Sequence, residues 1–143
     1  MREKTVQATL ENLDEVMAFV EEQMEVYHCS MKMQMQIAVA VEEIYVNIAS
    51  YAYREQKGNA RIRVQSGGEP LQIIITFEDD GIPYNPLLKE DPDITLSAEE
   101  RKIGGLGIYI VKKSMDQVEY HYQNGKKYSY DPKGYSVIKT KIK

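Results

Sequence analysis

Apolar residues in the first third of the chain recur with helical spacing after one short alternating segment. Val6 to Leu10 alternates apolar and polar residues, which predicts a short β-strand. Asn12 then offers an N-cap, and a helix is predicted from apolar residues at Leu13, Val16, Met17, Val20 and Met24. A second helix is predicted from near Ser30 to about Arg54, with one apolar stripe that includes Ile37, Val41, Ile44 and Ile48.

The apolar spacing then changes from near four to two. After a turn at 56–59, the segments 60–65 and 71–78 alternate, and Gly67-Gly68 between them is typical of a hairpin turn. One face of these strands is apolar and the other is largely polar. This pattern favours an antiparallel sheet with helices on one side over a parallel sheet buried on both faces, and it weakens a Rossmann interpretation.

The second half of the chain contains a long irregular segment between periodic ones. Residues 85–103 carry both charge signs, few apolar residues and two prolines, and such a loop inside a compact domain is usually functional or mobile. A glycine-rich stretch follows and leads into a helix with apolar residues at Ile108, Ile110, Val111 and Met115. Strands are predicted at Val118–Tyr122 and Tyr135–Ile142, separated by a turn near Asn124-Gly125 and a loop through Pro132 and Gly134.

Composition narrows the class of protein. The chain has 143 residues, 43% hydrophobic and 28% charged, which predicts one globular domain over residues 1–143. A net charge of −4 without a polybasic run argues against direct nucleic-acid binding. With no signal peptide, no apolar stretch long enough for a bilayer and a single cysteine, Cys29, we expect a cytoplasmic protein without membrane association or an internal disulfide.

Charge is distributed unevenly along the chain. Residues 1–27 contain seven acids and two bases, whereas residues 126–143 contain six lysines and one acid. Two solvated faces are the simpler interpretation, and the acidic first helix is the alternative candidate for a partner-docking surface.

Three short segments carry candidate chemistry, and the first lies on the second helix. Glu43 and Asn47 are four residues apart and therefore share one helix face. Their carboxylate and carboxamide oxygens could bind Mg²⁺ or its waters, and the carboxylate could take a proton from a nucleophile. A polar edge beside the apolar stripe is the plain alternative.

The second segment, Asp79-Asp80-Gly81-Ile82-Pro83, ends a strong strand. A carboxylate there can accept a hydrogen bond from an exocyclic amine such as that of adenine. Gly81 lets the backbone approach a planar ligand, and Pro83 fixes the turn. An ordinary strand-ending turn would use the same residue types.

The third segment, Gly104-Gly105-Leu106-Gly107, opens a helix. Consecutive backbone N–H groups at a helix N-terminus bind anions, and glycines allow phosphate to approach. The segment lacks the Gly-Lys-Ser/Thr of a Walker loop and does not follow a strand, so the dinucleotide fingerprint is excluded. It could equally be a hinge for the preceding loop.

The order and spacing of the three segments resemble the GHKL (Bergerat-fold) ATPases over nearly the whole chain. Residues 40–47 with Tyr51-Ala52-Tyr53 resemble the N-box, residues 79–86 the first glycine box, and residues 103–108 with Met115-Asp116 the second. The proline of Asp-Gly-Ile-Pro and the size resemble the bacterial anti-sigma-factor serine kinases. Tyr84 stands where phenylalanine is common and keeps an aromatic ring. The implied fold is an α+β two-layer sandwich with a largely antiparallel, mixed sheet and helices on one face.

The resemblance also implies roles for individual residues. Asp79 would bind the adenine amine beside Gly81 and Pro83, and Asn47 would ligate Mg²⁺. Glu43 would be the general base, with Glu42 as the alternative, and Arg101 could reach the terminal phosphate. A lid of about 85–103 would cover the phosphates, and the phosphate-binding residues would be Gly104, Gly105, Leu106 and Gly107.

The implied function is an ATP- and Mg²⁺-dependent protein-serine kinase that sequesters a sigma factor and phosphorylates an anti-anti-sigma protein, as a homodimer. The alternative is a non-catalytic, ATP-responsive protein-binding module. A stand-alone histidine kinase core is poorly supported because His28 and His121 lie outside any obvious dimerisation helix. A metal-dependent hydrolase built on Glu42, Glu43, Asp79 and Asp80 is weaker still, since no histidine ligand accompanies them.

Overall fold

Five strands and three α-helices make up the described part of the chain, residues 1–53, 56–82, 106–123 and 133–142 of a computed structural model. The elements are β1 (Arg2–Gln7), α1 (Leu13–Val26), α2 (Met31–Asn47), β2 (Asn59–Gly67), β3 (Gln72–Asp79), α3 (Leu106–Ser114), β4 (Gln117–Gln123) and β5 (Lys133–Lys141). A 3₁₀ turn at Leu10–Asn12 precedes α1, and a π-helical turn at Ile48–Ala52 extends α2.

The strands form one sheet in the order β1-β2-β3-β5-β4, and every described pair of neighbours is antiparallel. β3 is central, because it pairs with β2 on one side and β5 on the other. Its last residue, Asp79, has Ala60 and Gly134 as register partners. The end of the central strand is therefore flanked by two of the smallest residues.

The helices pack on one face of this sheet, as the alternating pattern predicted. Ile62, Ile75 and Ile138 point from three adjacent strands into one hydrophobic core with Ile37 and Val41 of α2. Each such side chain contributes roughly 1.5–3 kcal/mol when fully buried. The predicted α+β sandwich with an antiparallel sheet is confirmed.

The opposite face of the sheet carries a network of ion pairs. Glu78, almost fully buried, pairs with Arg61 at 2.8 Å and with Arg63 at 2.5 Å. Arg63 continues the network to Glu3 on β1 at 2.6 Å, and Arg61 continues it to Asp80 at 2.9 Å. Because residues 61 and 63 alternate with buried ones, the polar face predicted for this hairpin is the face that carries the network.

The first strand lies earlier than the alternating pattern predicted. β1 ends at Gln7, which pairs with Asn59, the first residue of β2, and one further hydrogen bond joins the Ala8 N–H to the Gly58 carbonyl at 2.8 Å. Leu10 instead begins the 3₁₀ turn. The Tyr45 hydroxyl of α2 donates to the Thr9 carbonyl at 2.6 Å and accepts from the Thr9 N–H at 3.2 Å. The prediction of a strand through Leu10 was wrong because the Tyr45 side chain, distant in the sequence, holds the backbone at Thr9 where the chain turns.

The second helix begins where predicted and changes its pitch before its end. The Ser30 side chain accepts a hydrogen bond from the Met33 N–H at 3.2 Å, which is an N-cap. Regular α-helix ends at Asn47, and the wider turn runs on to Ala52, while Arg54 lies outside the described residues. Single π-turns of this kind occur often at functional sites.

The remaining predicted elements are largely confirmed. The hairpin, the helix after the glycines and the strand at Val118–Tyr122 are present, and Gly68 of the hairpin has φ +85°. The last strand begins at Lys133, so Gly134 lies in the ladder and not in a loop. The segment 85–103 and the turn at 124–125 lie outside the described residues. No helix of the described segments has the length and apolar character needed to cross a bilayer.

Candidate functional site

A cleft opens between the C-terminal half of α2, its π-helical turn and strands β3, β4 and β5. The cleft is narrow, with a volume of about 10 Å³, so a ring-sized ligand would have to widen it. Its described lining residues are Ile44, Asn47, Ile48, Ala52, Asp79, Ile82, Tyr120 and Ser136. Most of this lining is apolar or aromatic, with a few polar groups among it. Such a composition fits a planar ligand that needs a small number of directed hydrogen bonds.

Asp79 supplies the most buried carboxylate of the cleft. Its residue is 6% exposed, and Oδ1 accepts a hydrogen bond from the Gly81 N–H at 2.9 Å. Burial raises the pKa of Asp79 to about 6, although the Gly81 hydrogen bond opposes the rise, and the nearby charge of Asp80 adds to it. At neutral pH the Asp79 carboxylate is therefore ionised and accepts hydrogen bonds. A hydrogen-bond donor that reaches it offsets part of the cost of burying the charge.

Space around the Asp79 carboxylate depends on Gly134. A Cβ built on Gly134 would lie 3.0 Å from Asp79 Oδ2 and 3.3 Å from the Tyr120 hydroxyl oxygen. The carboxylate, the tyrosine hydroxyl and the bare backbone of β5 therefore meet at one point. A larger residue in this position would push against the carboxylate that the cleft presents.

Gly81 allows the segment after β3 to contact the π-helical turn directly. A Cβ on Gly81 would overlap the backbone carbonyl of Ala52, whose oxygen accepts a hydrogen bond from the Ile82 N–H at 2.8 Å. The sequence predicted that Gly81 lets the backbone approach a ligand closely. In the structure, Gly81 also lets this segment contact the π-helical turn. These two segments together form one wall of the cleft.

Tyr53 joins the same region from behind. Its hydroxyl accepts from the Asp80 N–H at 2.8 Å and donates to the Asn59 carbonyl at 2.5 Å. The tyrosine therefore connects the end of the π-helical turn to the end of β3 and the start of β2. This fixes the backbone that carries Asp79.

Glu43 and Asn47 lie one turn apart on α2, as their spacing predicted. Asn47 Nδ2 donates to the Glu43 carbonyl at 2.9 Å and approaches Glu43 Oε1 at 3.4 Å. Asn47 is buried and Glu43 is half-buried, whereas Glu42 is exposed. Of the two acidic candidates, Glu43 is the one that contacts the asparagine.

Gly107, in the first turn of α3, packs against the same carboxylate. A Cβ on Gly107 would overlap Glu43 Oε2 and Cδ. Glycine at this position therefore lets the start of α3 lie directly on the Glu43 side chain. Folding therefore places the third candidate segment, at the start of α3, against the first, on α2, although the two segments are far apart in the sequence.

Several predicted site residues lie outside the described residues: Pro83, Arg101, Gly104, Gly105 and the lid 85–103. Leu106 is the first residue of α3. The roles predicted for these residues and for Leu106 stay predictions.

Two residues that line the cleft, Tyr120 and Ser136, are not predicted as site residues by the sequence. Ser136 lies two residues before buried Ile138 on β5. Both side chains therefore point to the same, inward face of the sheet. A small polar residue at an inward position of a strand was the available signal. Tyr120 offered no such signal, because its place beside Asp79 depends on how β4 pairs with β5.

The donor set is compatible with magnesium supplied together with a ligand. Within the described segments no group of three or more His, Cys, Asp or Glu side chains could hold a metal ion. Hard oxygen donors are nevertheless available in the buried amide of Asn47, which lines the cleft, and in the adjacent carboxylate of Glu43. Mg²⁺ commonly takes one or two protein oxygens, with the rest from water and phosphate. The residues therefore fit such an ion.

Comparison with known proteins agrees with this geometry. The family described as histidine kinase-like ATPase domain matches residues 6–128. The chain is 28% identical over 92 residues to the serine-protein kinase RsbW of Bacillus subtilis, covering 62% of this chain and 58% of that protein. The corresponding RsbW of Bacillus mycoides is 29% identical over 91 residues, covering 61% and 56%. The matched region thus spans less than two thirds of each relative's length.

Proposed function

The chain belongs to the histidine kinase-like ATPase domain family, and from this we propose that it binds ATP with Mg²⁺ in the cleft and phosphorylates a serine of a partner protein. The similarity to RsbW, a serine-protein kinase, supports an anti-sigma-factor kinase-like regulator. The proposed partners are an anti-anti-sigma protein as substrate and a sigma factor that is sequestered. A homodimer is the proposed assembly. The observation that carries the proposal is the meeting of Glu43, Asn47 and Gly107 at one edge of a cleft whose interior presents Asp79.

The interior of the cleft would take the adenine ring. Asp79 would accept a hydrogen bond from the exocyclic amine, and its burial makes that bond stronger than in water. Ile44, Ile48 and Ile82 would contact the faces and edges of the ring. Gly81 and Pro83 would border it.

The α2–α3 edge would take the phosphates. Asn47 would supply an amide oxygen to Mg²⁺, whose charge would neutralise phosphate oxygens. Gly104, Gly105, Leu106 and Gly107 would present backbone N–H groups at the N-terminus of α3. The lid 85–103 would close over them, and Arg101 would reach the terminal phosphate.

Glu43 would act as the general base. In that step its carboxylate accepts the proton of the substrate serine hydroxyl, the serine oxygen bonds to the γ-phosphorus, and the bond from that phosphorus to the bridging oxygen breaks, releasing ADP. Phosphoryl transfer depends mainly on positioning and charge neutralisation. The contacts of Glu43 with Asn47 and Gly107 support its assignment over exposed Glu42.

The decisive experiment is capture of partners in ADP and in ATP, followed by transfer of labelled γ-phosphate to the captured protein and mapping of the modified serine. Wild type and Glu42→Gln should both transfer phosphate, whereas Glu43→Gln should bind ATP but transfer none. Nucleotide-dependent capture without any phosphoprotein would instead favour the non-catalytic binding module. Transfer by Glu43→Gln at the wild-type rate would remove Glu43 as the base.

A further inference from the structure

A second surface lies on α1 and α2, remote from the cleft. It is a groove between the two helices, which we term the methionine groove, lined chiefly by Met17, Val20, Glu21, Met24, Met31 and Met35. Its volume is about 250 Å³. The methionine groove shares no lining residue with the cleft, so the inference drawn from it does not depend on the proposed function.

The α2 side of the groove exposes large apolar side chains in a row. Met31 is 71% exposed and Met35 is 65% exposed, and Val39 continues the row one turn further along. Between the helices, buried Val20 and Met24 form an apolar floor. Single exposed apolar residues are normal on a protein surface, but a contiguous apolar surface with a floor marks an interaction site.

The α1 side of the groove is acidic. Helix α1 contains five acids and no Lys, Arg or His: Asp14, Glu15, Glu21, Glu22 and Glu25. Glu15 pairs with Lys4 at 2.7 Å. Glu21 lines the groove, and Glu25 lies one turn further along the same side of α1; both are exposed and form no ion pair with any described residue. The charge of this rim is therefore uncompensated by described basic side chains.

We propose that the methionine groove binds an amphipathic helix of a partner protein, with its apolar stripe on the methionines and Lys or Arg residues facing α1. A groove between two helices accepts apolar residues spaced i, i+3, i+4 and i+7 along a third helix. Methionine side chains are unbranched and adapt to the shape of such residues. The acidic rim favours basic flanking residues, both in steering association and in fixing orientation.

A second copy of this chain is the competing occupant. Symmetric contact through the groove would bring two α1 helices together, each with the exposed carboxylates of Glu21 and Glu25, which have no described ion-pair partner. Like charges so placed repel. The charge pattern therefore favours a basic partner helix over self-association.

The probe is a fluorescein-labelled amphipathic peptide of about 18 residues, five helical turns, with leucines at the groove spacing and lysines and arginines beside them. Its comparison peptide has glutamate in place of every basic residue. Anisotropy titration of the whole chain should show binding of the basic peptide and none of the acidic one. Binding should weaken as salt is raised, because exposed charges are screened.

Paired variants separate the groove from the rest of the surface. Met31→Ser with Met35→Ser, and Glu21→Lys with Glu25→Lys, should each weaken the basic peptide by about tenfold or more. The matched control, Leu71→Ser with Glu69→Lys, changes an exposed apolar residue and an exposed acid outside the groove and should bind as wild type does. Unchanged calorimetric ATP binding and thermal unfolding would show that every variant is folded.

Several results would overturn the proposal. These are failure of wild type to bind the basic peptide, equal binding of the acidic peptide, and equal affinity of the groove variants and wild type. Sedimentation equilibrium addresses the competing occupant: a wild-type dimer that Met31→Ser with Met35→Ser converts to monomer would assign the groove to self-association instead.

Discussion

The carboxylate of Glu43 on α2 lies against the α-carbon of Gly107 on α3, with no space for a side chain on the glycine. The two residues are far apart in sequence, and each belongs to a different candidate segment. Their contact fixes the distance between the proposed base and the helix terminus proposed to receive phosphate.

Gly107→Ala should destabilise the protein by about 1–3 kcal/mol, because the new methyl group overlaps the Glu43 carboxylate and overpacks the contact. Chemical denaturation of wild type and variant measures the loss. In a Glu43→Ala background the same change should be neutral or stabilising, since the overlapping atoms are gone and alanine favours a helix. Gly67→Ala is the control, because a Cβ there meets no atom within 4 Å. An equal loss in both backgrounds would refute the proposed overlap.

Asp79→Asn should weaken Mg-ATP binding by about tenfold to over a hundredfold, because a hydrogen bond to a charged group contributes roughly 1.5–3 kcal/mol. An amide at this position can present a donor to the adenine amine where the carboxylate presents an acceptor. Calorimetric titration measures the change. Asp80→Asn is the matched control, since Asp80 is exposed and pairs with Arg61 and Lys133 outside the cleft. Wild-type affinity in Asp79→Asn would remove the adenine role of Asp79.

The same Asp79→Asn variant should be more stable than wild type at neutral pH without nucleotide. Burial raises the pKa of Asp79 to about 6 from 3.8, so the folded state binds more protons than the unfolded state between these values. The carboxylate of the wild type therefore destabilises the fold increasingly as pH rises from about 4 through 6, by up to about 3 kcal/mol. Denaturation at several pH values should show the two proteins nearly equal near pH 4, diverging between pH 4 and pH 6, and differing by a constant amount above pH 6. A difference independent of pH would contradict this origin.

Glu78→Gln should cost much more stability than Glu3→Gln, although both acids pair with Arg63. The side chain of Glu78 is 7% exposed and that of Glu3 is 39% exposed. Removing one partner of a buried ion pair costs about 3–5 kcal/mol, whereas an exposed pair contributes roughly 0.2–1 kcal/mol. Denaturation at neutral pH measures both. Equal losses would mean that solvent screens Glu78 as it screens Glu3.

The stability that the Glu78 ion pairs contribute should depend on pH. Burial alone would raise the pKa of Glu78, but Arg61 and Arg63 outweigh it and lower that pKa. Its contribution to stability is therefore complete above the ordinary glutamate range and is lost as pH falls through the lowered value. The stability difference between wild type and Glu78→Gln should shrink on acidification because the Glu78 ion pairs are lost, whereas protonation of Asp79 stabilises the wild type.

Much of the fold could be predicted because it depends on local periodicity. The helical spacing that begins at Leu13, the change to alternation near Ala60 and the helix after the glycines are all present in the structure. Strand ends were less predictable. β1 ends at Gln7, opposite the first residue of β2, and β5 begins at Lys133, opposite Gln123 at the end of β4; no local pattern records either pairing.

By itself, the sequence determined the side-chain chemistry available to the site and the helix face shared by Glu43 and Asn47, because spacing along one helix is a local property. Tertiary structure decided which of the two adjacent acids lies against α3, since the packing of α3 places Gly107 on Glu43, while Glu42 is exposed. It also decided the raised pKa of Asp79 and the inclusion of Tyr120 and Ser136. These properties arise from contacts between residues distant in the chain, so burial and strand pairing had to be known before they could be stated.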